Sequence, residues 1–63
     1  MELTESVKKY LIETVERLKG RERRFFMART VKELGIGGQR RAEKELGWDR
    51  TTIRKGMNEL NTV

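Results

Sequence analysis

Sixty-three residues allow one domain, and a chain this short buries only about 60% of the surface its unfolded form exposes, so its core is thin. Charged residues make up 40% of the chain and hydrophobic residues 35%, which is polar for a globular domain but too regularly patterned for a disordered one. The absence of cysteine excludes disulfides and thiolate metal sites, the absence of histidine removes the usual metal ligand and general base, and a net charge of +5 favours anionic partners, nucleic acid before an acidic membrane surface.

No apolar run approaches the ~20 residues of a membrane span, and no signal-peptide core stands at the N-terminus. These features place the expected site of action in the cytoplasm, at the nucleoid. The chain also lacks proline, which suits helices with short connections.

Residues 4–19 are predicted to form the first helix. Leu3, Val7, Leu11, Val15 and Leu18 recur at spacings of three and four and share one stripe, which Tyr10 and Ile12 widen. Thr4 or Ser6 can cap its start, Glu5 suits the positive helix N-terminus, and Gly20 can end it.

Residues 21–34 are predicted to form the second helix, with Phe25, Ala28, Val31 and Leu34 as its stripe, Phe26 and Met27 beside it, and Gly35 as its stop. A glycine inside a helix costs only about 1 kcal/mol relative to alanine, so Gly20 could also sit within one kinked rod. Two helices are preferred, because each stripe needs a fold-back to be buried. Gly35-Ile36-Gly37-Gly38 then makes a tight connection that calls for positive φ angles. It is not a phosphate loop, since no strand precedes it and no lysine follows at the required spacing.

The third helix is predicted over residues 38–46, with Ala42 and Leu46 inward, and the fourth over 50–60, with Ile53, Met57 and Leu60 as its core stripe. Asp49 is placed to cap the fourth helix, and Gly56, beside the stripe, lets the preceding helix come close. Trp48 follows the turn glycine Gly47 and is expected to plug the junction rather than stack on a base. Phe25 and Phe26 are core candidates as well. The fold class is therefore all-α: a small bundle of three to four helices ending in a homeodomain-like helix-turn-helix.

The outer face of the fourth helix carries Arg50, Thr51, Arg54, Lys55 and Asn58. Arginine or lysine matches guanine, asparagine matches adenine, and a threonine methyl packs on that of thymine, so these five are the candidate base contacts. Gln39, Arg40, Arg41 and Lys44 on the third helix are candidate phosphate contacts, as the first helix of such a pair crosses the backbone. Arg41 and Glu45, four residues apart, can equally form a solvated ion pair. Arg23 and Arg24 join the phosphate set: with Arg21 they open the second helix, where positive charge opposes the helix dipole. They serve either a phosphate backbone or a solvated corner.

Residues 23–60 resemble the N-terminal DNA-binding region of Rhodopirellula-type DDE transposases of bacterial insertion sequences. The matches are Arg23-Arg24, Phe26, Ala28, Leu34-Gly35, Gly37-Gly38, Gly47, Arg50, Thr52-Ile53-Arg54, Gly56, Glu59 and Leu60, with Lys55 in place of a second arginine. The sequence departs from that pattern at Gln39, where the family has an apolar residue, and at Glu43, where it has a small one. The resemblance implies recognition of an element's terminal inverted repeats. It does not imply catalysis here, because DDE chemistry needs three carboxylates on a metal-binding fold of well over a hundred residues. The chain is then a piece of a longer transposase or a short product standing alone.

The expected partner is double-stranded DNA, with no cofactor, no metal, no small-molecule substrate and no membrane. A homodimer through helix 4–19 is a further expectation. Two other functions share these features: a standalone transcriptional regulator, and a helical interaction domain that docks through its first helix. An enzyme is not expected, since no nucleophile stands beside a base and no ligand cluster is present.

Overall fold

Each helix begins or ends where the local chemistry satisfies its open backbone groups. A computed structural model describes residues 2–61; residues 1, 62 and 63 of the expected 1–63 domain lie outside the described residues. Helix α1 spans Glu5–Arg17, with Thr4 as its cap: the Thr4 side-chain oxygen accepts from the Val7 N–H at 3.2 Å. Helix α2 spans Gly20–Leu34 and ends at Gly35. Helix α3 spans Gly38–Arg41 and widens into a π-helical turn over Ala42–Leu46, and α4 spans Arg50–Asn61. The fold is an all-helical small bundle, and no strand occurs among the described residues.

Helices α1 and α2 are separate, but the break is not where the glycine suggested. Leu18 and Lys19 are extended, and Gly20 opens α2 with φ +59° instead of closing α1. The extended pair turns the chain and leaves Leu18 half-buried against α2. Gly35 and Gly37 take the positive φ angles anticipated for that connection.

The core also differs from a simple pairing of the first two helices. Met27, Ala28, Ala42 and Ile53 are wholly buried and join Leu11, Val15, Val31, Leu34, Leu46 and Trp48. Most of the tertiary contact lies between α2 and α4, while α1 supplies Leu11 and Val15 from one side and touches α2 and the π turn more lightly. On α2 the buried positions are Met27, Ala28, Thr30, Val31 and Leu34, so Met27 and Thr30 lie where the predicted stripe had Phe25. Thr30 is compatible with the core because its hydroxyl donates to the Phe26 carbonyl at 2.8 Å.

Gly56 marks a close backbone approach between two helices. A Cβ there would run into the backbone carbonyl of Arg24 and touch Ala28 Cβ at 3.0 Å. The helix that the missing side chain admits is therefore α2, not the preceding α3. Ile53 is central, whereas Met57 and Leu60 are only half-buried. Trp48 is buried as expected and meets Phe26 edge-on, with ring centroids 6.5 Å apart at 63°. Tyr10, expected to widen the apolar face of α1, is 65% exposed, and Ile36 in the glycine connection is fully exposed.

Candidate nucleic-acid interface

The start of α4 is set by two residues. Gly47 takes a left-handed conformation at φ +69°, and the N–H groups of Gly47 and Trp48 both point to the Ala42 carbonyl, closing the π turn. Asp49 then caps α4: its carboxylate accepts from the Thr52 N–H at 3.0 Å and from the Thr52 hydroxyl at 3.1 Å. With Trp48 and Ile53 anchored inward on either side of this cap, the rotation of α4 about its axis is determined.

That rotation turns Arg50, Thr51, Arg54, Lys55 and Asn58 to solvent as one continuous face. Arg54 and Lys55 have no ion-pair partner among the described residues. The only acidic residue of α4, Glu59, lies off this face. It pairs with Arg24 Nε at 2.5 Å and Arg24 Nη2 at 3.2 Å, and Arg21 Nε stands 3.3 Å away. The hydrogen bond from Arg24 holds the Glu59 carboxyl below the usual carboxylate range, against a smaller opposing effect of burial, and the same bond raises the pKa of Arg24.

The candidate phosphate contacts divide. Arg40 and Lys44 are exposed on the third helical segment, and Arg23 is exposed at the start of α2. Arg41 Nε lies 3.4 Å from Glu45, the ion pair foreseen from their spacing. Gln39 is half-buried and donates to Glu43 at 3.4 Å. Arg24 is different: its guanidinium pairs with Glu59 across the α2–α4 junction, which makes it a clamp on α4.

Two pairings escaped the sequence reading. Glu43 was legible as a neighbour of Gln39, four residues away on one helix, but its contact with Arg50 Nε, at 3.4 Å to each oxygen, crosses the break before α4. Glu59 and Arg24 stand 35 residues apart, and no local spacing announces that pair.

Of the stripe expected to dimerise α1, Leu3, Val7, Leu11 and Leu18, Leu11 is buried and Leu3 and Val7 pack on the core, while Leu18 lines a groove. What α1 leaves open is a groove of about 590 Å³ against the flank of α2 turned away from Ala28, floored by Leu11, Leu18, Phe25 and Phe26 and edged by Tyr10. Phe25 lies under the Arg21 guanidinium, 5.7 Å from its carbon to the ring centre. No cluster of three or more acidic side chains that could hold a metal occurs among the described residues, and no helix among them is long and apolar enough to cross a membrane. Comparison of the chain with family models, with curated proteins and with solved structures finds no match.

Proposed function

We propose that residues 38–61 act as a helix-turn-helix that binds double-stranded DNA, with α4 in the major groove. The observation that carries this reading is the outward face of α4: three cations, a hydroxyl and an amide in one arc, with the helix's single acid drawn away to α2. Arg50, Arg54 and Lys55 suit guanine, Asn58 suits adenine and Thr51 suits thymine. Arg40, Arg41, Lys44 and Arg23 neutralise phosphates and set the register, with Gln39 as a neutral backbone contact. The resemblance to Rhodopirellula-type transposases supplies the purpose we propose, that of holding the terminal repeats of a mobile element.

The test is binding of the 63-residue chain to a mixed pool of duplexes by fluorescence anisotropy. Four phosphate-neutralising cations predict a loss of about 100-fold in affinity between 50 and 200 mM salt. Absence of binding at the lower salt overturns the proposal. Selection from the same pool then identifies the preferred sequence, and an element's terminal repeats should rank above unrelated duplexes.

A further inference from the structure

Four acidic residues lie within residues 38–61, and three of them face away from the reading surface or serve the fold. Asp49 caps α4, Glu59 is clamped by Arg24, and Glu45 pairs with Arg41 and with Lys8 of α1. Only Glu43 engages the outward face of α4. Its carboxylate, on a side chain 27% exposed, places both oxygens 3.4 Å from Arg50 Nε, and Oε2 also accepts from Gln39.

A carboxylate between two groups that face DNA repels phosphates, so its presence lowers affinity for every sequence. What it does in return is chemical and local. Arg50 is the first residue of α4, where the helix dipole disfavours a cation, and its side chain is 65% exposed. A nearby carboxylate offsets the dipole and restricts the rotamers of a long side chain that otherwise loses many on binding. Because the contact is made through Nε, the two terminal amino groups stay available as a pair of donors. That pair matches the O6 and N7 acceptors of guanine, and the N-terminal residues of a recognition helix are the ones that reach base edges.

We propose that Glu43 is a positioning residue that sets Arg50 to read one guanine, an inference that rests on the DNA-binding reading above. Glu43 lowers indiscriminate binding and sharpens the choice at one base pair. A solvated surface ion pair with no further role would still repel phosphates but would leave the choice at that base pair unchanged.

The experiment starts from the duplex selected by the wild-type chain. Replacing each guanine in turn by 7-deazaguanine, which lacks the N7 acceptor, locates the one that Arg50 reads: affinity falls for the wild type and not for Arg50→Ala. Glu43→Gln is then expected to bind unrelated duplexes more tightly, and to lose about tenfold of the preference for guanine over adenine at that position. Glu43→Asp keeps the charge but shortens the reach, so unrelated duplexes bind as weakly as to the wild type while the preference still falls. In the Arg50→Ala background neither change alters the preference. Thermal melts check that each variant is folded; if Glu43→Gln does not fold, Glu43→Asp carries the test. Full retention of the guanine preference in Glu43→Gln or Glu43→Asp overturns the inference while leaving DNA binding intact. So does an equal loss with Arg50 already removed. Failure of the wild type to bind any duplex overturns both this inference and the reading beneath it.

Discussion

Helices α4 and α1 are held to α2 by different means. Helix α4 meets it backbone to backbone: Gly56 lies against the Arg24 carbonyl, Ile53 and Met27 are wholly buried, and the Arg24–Glu59 pair closes the end of the contact. Helix α1 is attached by side chains alone, chiefly Leu11 and Val15, with an open groove at its flank and a long Lys8–Glu45 contact of 3.8 Å to the π turn. Close backbone packing gives α4 a defined angle and rotation, because it tolerates no sliding. A helix that only covers the core can be held more loosely.

The sharpest way to break this contrast is to empty each contact. Ile53→Ala is expected to cost about 2–5 kcal/mol, a large part of the roughly 3–9 kcal/mol available to a domain of this length. Leu11→Ala, beside a groove whose walls can relax, should fall at the lower end of the same range. Urea titration of both variants checks the order, and equal losses would erase the distinction between the two helices.

A smaller effect should come from adding one carbon at the crossing. Gly56→Ala improves helix propensity by about 1 kcal/mol, yet its Cβ meets the Arg24 carbonyl, and we expect a net destabilisation of about 1–3 kcal/mol. A melting temperature equal to or above that of the wild type would show that α2 can move aside, and that the junction is softer than its geometry implies.

The smallest effects belong to the charges. Because the Glu59 carboxyl is held below its ordinary value of 4.5, the stability it contributes is present in full above that pH and is lost as the pH falls through the lower folded value. Glu59→Gln should therefore be less stable than the wild type at neutral pH, and the difference should shrink below about pH 4.5. Acid titrations of the two chains, followed by circular dichroism, test this. At the α1 side, Glu45→Gln should stay within about 0.5 kcal/mol of the wild type at any of these pH values. A larger loss there would mean that α1 too is clamped.

Local signals in this chain were readable where they act over one helical turn or less. Thr4 and Asp49 cap the helices as their positions suggested, the i, i+4 pair Arg41–Glu45 forms, and Trp48 fills the junction behind Gly47. The break between α1 and α2 was misplaced, because Leu18 and Lys19 carry no turn chemistry and become extended only through the way the two helices meet. Phe25 looked like core by its spacing, but the α2 face that is buried is the one turned to α4, which passes through Met27 and Ala28. The pairing of Arg24 with Glu59, 35 residues away, has no local signal at all.

The sequence by itself determined the all-α class, the Thr4 and Asp49 caps and which side chains of α4 point outward, while the separation of α1 from α2 waited on the tertiary structure. The first three follow from interactions between residues a few positions apart, together with the periodicity of burial. Only the tertiary structure decided which helix packs on which, that Gly56 admits α2, that Arg24 is a clamp, and that Glu43 holds Arg50. Those outcomes depend on contacts between distant segments. A wheel of apolar residues states that a face must be covered but not by what, and an exposed charge states its sign but not its partner.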